Sequence, residues 1–186
     1  MKILLLSSIY PNIEPNTSTT PVVHYFAREW VAIGHNVQVI SCPSNFPWYL
    51  RYPAKLIKRF LSSKTGGDIR TVKLQERQYE VDGVPVYRVP MLKRKPHGRY
   101  SLKSIHRTSA TIVNKCKELG FVPDVIIGHW VNPQLEIMNI LKKEFNKPVC
   151  LVMHDAGHDL LSIYKDEYPQ LLKQVDIFGY RSDAIK

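Results

Sequence analysis

The run "VCLVMHDAGHD" at 149–159 sets His154, Asp155 and His158 close together: a histidine, an acid, and a second histidine four positions on. The zinc-binding pattern H-E-x-x-H has the same spacing, with Glu where this chain has Asp. Such a site needs a helix, because only one helical face turns imidazoles at i and i+4 toward a single metal. Here a strand-like apolar run precedes His154, and Gly157 weakens any helix between the two histidines. No third ligand follows at a suitable spacing, so no metal site is expected. A polar loop after a strand is the plainer reading. Imidazole has another use at a strand end, since it can donate or accept a hydrogen bond near neutral pH and face charge that develops during a reaction.

The elements that must position these residues alternate along the chain. Residues 3–8, 37–42, 125–128, 149–153 and 175–178 are short and apolar at consecutive positions, as strands buried on both faces are. Between them, 21–33 places Val22, Val23, Phe26, Ala27, Trp30, Val31 and Ile33 at helical spacing before the stop at Gly34. Residues 104–119, ended by Gly120, and 133–145 have the same character. The pattern predicts an α/β fold: a doubly wound, mainly parallel sheet of Rossmann-like βαβ units in a single domain over 1–186. Within it, "YEVDGVPVYRV" at 79–89 reads as an inserted antiparallel β-hairpin turning at Asp82-Gly83. Ligands of such sheets sit at the carboxyl ends of the strands, which directs attention to 9–20, 43–48, 129–134 and 154–159. From 7 to 33 there is no glycine, so the first turn lacks the close backbone approach a pyrophosphate needs.

The composition narrows the function classes. With 186 residues and 44% hydrophobic content the chain can bury a core, but its apolar runs fall far short of the ~20 residues of a spanning helix. No secretory signal opens it, and Cys42, Cys116 and Cys150 suit free thiols, so a cytoplasmic location is expected. The excess of 26 Lys and Arg over 16 Asp and Glu, net +10, calls for an anionic partner: nucleic acid, anionic lipid or a phosphorylated substrate.

Five segments carry a family resemblance in the right order. "KILLLSSIYPN" resembles the first strand and aromatic-Pro turn, and "REWVAIGHNVQVIS" the first helix, Gly-His turn and second strand, of the retaining glycosyltransferases of family 4. That family has two facing Rossmann-like domains, the GT-B fold. "PDVIIGHWVNPQ" is similar to the family's His-Trp stretch, "KPVCLVMHDAGHD" to its strand ending in His-Gly-Ser-Asp, and "VDIFGYRSDAIK" to the strand that closes the amino-terminal domain. The resemblance implies that this is the amino-terminal, acceptor-side domain. It assigns the catalytic contact to His154 and substrate binding to Tyr10, Thr20, His129, Trp130, Asp155 and Asp159. For Trp130 a buried structural role fits the sequence equally. Two departures are the glycine-free "EPNTSTTP" in the first loop and Asp155 where the family has Gly. Glu136 and Glu144 have the spacing of the family's donor-site glutamate pair, but they fall on a predicted surface helix without the flanking glycines and prolines, and are taken as coincidence.

Two stretches hold much of the positive charge. Residues 88–107 contain seven Lys or Arg and no acid, including Lys93, Arg94 and Lys95; residues 46–64 contain five. In the second stretch Leu50, Ala54, Leu56, Ile57, Phe60 and Leu61 lie on one side of a helical wheel, and Arg51, Lys55, Lys58 and Arg59 on the other. With Trp48 and Tyr49 at headgroup depth this fits a helix in an anionic membrane interface. An ordinary helix packed on the domain, with solvated lysines, fits as well. Nucleic acid suits the charge but no recognition motif accompanies it.

The sequence is therefore expected to be the acceptor-binding half of a glycosyltransferase that moves sugar from a nucleotide-sugar donor to a lipid-linked or polysaccharide acceptor, peripherally on the inner face of a membrane. The donor and its carboxyl-terminal domain are expected in the full-length protein, with no cofactor held by this chain and no activity from it in isolation. The other class that fits is a non-catalytic membrane-recruiting or binding subunit paired with a separate catalytic chain.

Overall fold

A computed structural model of the chain describes residues 1–13, 19–51, 73–95, 98–154 and 160–180. In chain order these form β1 (Lys2–Ser7), α1 (Val22–Ala32), β2 (Asn36–Ser41), β3 (Ser44–Asn45), β4 (Arg77–Val81), β5 (Val84–Arg88), β6 (Met91–Leu92), α2 (Leu102–Glu118), β7 (Val125–His129), α3 (Gln134–Phe145) and β8 (Val149–Met153). A π-helical turn (Leu160–Tyr164), a 3-10 turn (Lys165–Glu167), α4 (Tyr168–Leu172) and β9 (Ile177–Tyr180) follow.

The main sheet has the order β4-β5-β2-β1-β7-β8-β9, and β3 pairs with β6 in a separate two-stranded ribbon. Every pairing in the main sheet is parallel except β4 with β5. Alternation along β1 explains the layering. Ile3 and Leu5 enter an apolar cluster with Val23 and Ala27 of α1, while Leu4 and Leu6 join Ile112 of α2 and Leu135 and Met138 of α3. Successive side chains of a strand point to opposite faces, so a fully apolar β1 needs helices on both sides. This is the doubly wound arrangement anticipated from the sequence.

Three details differ from the sequence-based expectation. The hairpin is present, but β5 also pairs in parallel with β2 through Val39 and Val86, so its second arm is a strand of the main sheet. The last strand lies at 177–180 rather than 175–178 and forms a half-open edge, with Ile177 54% exposed. The helix expected at the surface, α3, has Gln134 through Asn139 all buried. It lies against α2 on one side and β7 below. A Cβ at Gly128 of β7 would collide with Met138 Sδ and press on Gln134 Cβ. Only a glycine lets α3 seat this low, and that height fixes the loop 130–133 beside the strand tips.

The end of α1 shows why Gly34 stops it. Gly34 has φ +88°, a left-handed conformation that costs glycine little, and its N–H donates to Val31 O while His35 N–H returns to Trp30 O. The chain then turns directly into β2.

Candidate active site

The order of strands reverses direction between β1 and β7: from β1 the chain builds outward through β2 and β5, then crosses to β7 and builds the other way. The carboxyl ends on either side of such a switch point diverge and leave a crevice. Into its edge come Ser7 and Ser8 from β1, His129 and Trp130 from β7, and His154 from β8.

The two imidazoles meet directly, His129 Nδ1 lying 2.9 Å from His154 Nε2. His129 is 1% exposed and His154 7%. Phe26 of α1 lies 5.5 Å from the His129 ring, and Trp130 stacks on His154 at 4.3 Å with the planes 23° apart. To make that stack Trp130 adopts φ 72°. A bulky residue in the left-handed region is an outlier that the surrounding structure must enforce, and such outliers gather at functional sites. Trp130 is half-buried and its indole N–H has no acceptor among the described residues; nor has His129 Nε2 any partner among them.

Burial, and after it the neighbouring His154, holds the His129 imidazole down at about 3, against an ordinary value of 6.5. His129 is therefore neutral throughout the physiological range. A neutral His129 can offer its Nδ1 lone pair to an N–H on His154 Nε2. The arrangement is a buried pair of imidazoles in hydrogen-bond contact, with an aromatic face stacked on His154.

This pair has a stability consequence. The unfolded chain binds a proton at His129 below about pH 6.5, while the folded chain resists until about pH 3. Stability is therefore lost as pH falls through this window, by up to about 1.4 kcal/mol per pH unit. Urea unfolding between pH 7 and 5 should show this slope shrink in His129→Asn, which keeps a polar atom near Nδ1 but does not titrate. An unchanged slope would mean that His129 charges as easily in the fold as outside it.

Around the imidazoles lies a polar lining that the sequence reading did not single out. Ser8 Oγ donates to Gln134 Oε1 at 3.0 Å and lies 3.2 Å from Asn132 O. Asn132 Nδ2 donates to Gly98 O at 3.3 Å, while Asn132 Oδ1 and Gln134 Nε2 have no partner among the described residues. Asn132 and Gln134 follow a strand tip, and that position was the available signal.

The other expected site residues are placed as follows. Tyr10 is a core residue, 1% exposed, with its hydroxyl 2.9 Å from His24 Nδ1, and burial pushes the phenol up. His24 Nε2 lies 2.9 Å from the Asp82 carboxylate. With that carboxylate accepting, Nδ1 of a neutral ring accepts from Tyr10. The chain Tyr10, His24, Asp82 ties the first loop to the hairpin turn, and the hydroxyl of Tyr10, expected to contact substrate, is turned to His24. Thr20 is exposed just before α1. Asp155 and Asp159, with His158, lie outside the described residues, as do Lys55, Lys58 and Arg59. Trp48 and Tyr49 are exposed, Trp48 at 73%. Lys93 Nζ sits 5.2 Å over the Tyr100 ring. Arg51, Arg94 and Lys95 come together around one cavity. Glu136, expected at the surface, is 5% exposed and ion-paired with Arg99 at 2.9 Å. Among the described residues no helix is long and apolar enough to cross a membrane.

Comparison with known proteins agrees with the sheet. No curated protein sequence matches the chain. Among solved structures, an α,α-trehalose-phosphate synthase (UDP-forming) from Burkholderia xenovorans in complex with glucose-6-phosphate superposes with TM-score 0.56 at 10% identity, covering 99% of this chain and 42% of that one. The trehalose-6-phosphate structure from E. coli bound with UDP-2-fluoro glucose superposes with TM-score 0.51 at 10% identity, covering 99% and 40%. At this identity the similarity shows the fold alone, and the chain spans about two-fifths of the length of these neighbours. The glycosyl transferase 4-like domain matches residues 19–179, from the foot of α1 through the strand tips that carry both imidazoles to β9. With the match covering most of its length, the chain belongs to the glycosyl transferase 4-like domain family.

Proposed function

We infer that this chain is the acceptor-side half of a GT-B glycosyltransferase, working with a donor half outside these 186 residues. The observation that carries the reading is the His129–His154 pair under Trp130 at the switch-point crevice. Sugar transfer builds charge at the anomeric carbon and on the leaving phosphate, and fixed polar groups in a partly dry cleft stabilise it. Trp130 offers an apolar face on which a sugar ring can lie. Retention of anomeric configuration, a nucleotide-sugar donor, and a lipid-linked or polysaccharide acceptor at a membrane surface complete the reading. A neighbour bound with UDP-2-fluoro glucose is in keeping with the donor class.

The test is a panel of radiolabelled nucleotide sugars with membrane extract as acceptor. The 186-residue chain alone should transfer nothing, and the protein that adds a donor half should label one lipid or polysaccharide fraction. Transfer by the isolated chain would overturn the division of labour. A two-half protein that binds a donor and labels no acceptor would favour the non-catalytic subunit instead.

A further inference from the structure

Arg51 of the basic stretch 46–64, Lys73, and Arg94, Lys95, Lys103 and Arg107 of the stretch 88–107 line one cavity of about 1130 Å³. Its floor is the chain leaving β2 and β5, from Asn45 to Trp48 and at Val89 and Pro90, and its wall is the first turns of α2. It opens at the same carboxyl edge of the sheet as the imidazole pair. Asn132, in the loop that carries Trp130, donates to Gly98 of the cavity lining.

The charge of its described lining is one-sided. Arg51, Lys73, Arg94, Lys95, Lys103 and Arg107 line it, and none has a carboxylate partner among the described residues. Arg99, also in the lining, is neutralised by Glu136 and Glu167. The one carboxylate in the described lining, Glu76, accepts from the Tyr87 hydroxyl. Cations crowded on one concave surface repel each other unless an anion joins them, and low-dielectric walls concentrate their field. Arg51 adds a sharper sign: its Nε is shielded from solvent and has no acceptor among the described residues. A guanidinium N–H withdrawn from water calls for an oxygen, and an anionic one satisfies it best. The N-terminus of α2, capped by Ser101, borders the same space.

We propose that this cavity binds the phosphate or diphosphate group of the acceptor. The assignment rests on the acceptor-side reading and gives its substrate a chemical class: a phosphate ester, on a free sugar or a lipid headgroup. The cavity is far larger than a diphosphate, so the phosphate group occupies its basic lining and leaves room for the rest of the acceptor. The acceptor's phosphate is then held on the β2–β5 side of the rim while its hydroxyl is presented toward His154.

Calorimetric titration of the full chain with inorganic pyrophosphate, and flotation with vesicles of phosphatidylcholine with and without phosphatidylglycerol, test this. Saturable pyrophosphate binding is expected, weakened at least tenfold in Lys103→Gln/Arg107→Gln. Both changes lie at exposed positions of α2, and the unfolding midpoint should confirm an intact fold. A lipid source adds phosphatidylglycerol-dependent flotation that the double variant loses; a soluble source leaves flotation absent with pyrophosphate binding intact. Absence of pyrophosphate binding at low salt, or binding indifferent to the double change, overturns the proposal. So does stronger binding to a single-stranded oligonucleotide of equal phosphate content that survives in the variant. His154→Ala should bind pyrophosphate normally. Pyrophosphate binding in a protein that transfers no sugar would refute the enzymatic reading and leave the cavity standing; transfer without pyrophosphate binding would do the reverse.

Discussion

His154→Ala in the protein that carries both halves should lower turnover about 10²- to 10³-fold, the range in which a positioned acid, base or charge-stabilising group contributes. The geometry selects His154 over its partner. His129 is sealed between Phe26 and the other imidazole and stays neutral, whereas His154 stands just past the end of β8 and stacks on Trp130. A supporting role alone would predict a different pattern. If His154 merely propped Trp130, the loss should appear as a higher KM for the acceptor, and His154→Phe, which restores a stacking ring, should recover most of the rate. If it acts on the reacting groups, kcat falls, the donor KM holds, and Phe recovers nothing. The unfolding midpoint should move by less than in His129→Asn, since His154 lies nearer the rim. Unchanged turnover in His154→Ala would remove the imidazole pair from the chemistry altogether.

Much of this site could be read before any coordinates because it lies at strand ends, and strand ends are marked by where apolar runs stop. Leu4 and Leu6 against Ile3 and Leu5 required helices on both faces, and from that the crevice edge followed. That His129 and His154 would share an edge was legible; that they would touch was not, since the parallel register pairing His129 with Val152 is a tertiary outcome. Tyr10 shows the limit most clearly. Its neighbours in sequence suggest a loop facing ligand, yet its hydroxyl is captured by His24 and that ring by Asp82, 58 positions further on. The basic stretches were visible as charge, but that Arg51 would meet Arg94, Lys95, Lys103 and Arg107 around one cavity depends on β5 joining β2, a pairing no local pattern reveals. Lys55, Lys58 and Arg59 lie outside the described residues, so the amphipathic face drawn from the sequence stands as an expectation.

The misreading of Glu136 leads to the largest stability effect expected. Helical spacing put it on a surface, but α3 is covered along its first turns, and the carboxylate lies buried with Oε1 bonded to Arg99 and Oε2 unpartnered among the described residues. Arg99 in turn reaches Glu167 at 3.0 Å and lies over the Tyr164 ring at 5.2 Å. One guanidinium thus joins the segment before α2, the helix α3 and the turns that follow β8. Arg99→Ala strands a buried carboxylate without its counter-ion, so a loss of about 3–5 kcal/mol is expected, near the lower end because Arg99 is 26% exposed. Glu167→Ala removes only the exposed branch and should cost about 1 kcal/mol or less. The discriminating variant is Arg99→Ala/Glu136→Gln. If the penalty comes from an uncompensated charge, neutralising Glu136 should return part of the loss, making the double variant more stable than Arg99→Ala alone in urea unfolding at pH 7. A double variant that is less stable than Arg99→Ala would instead place the cost in lost packing of the arginine stem.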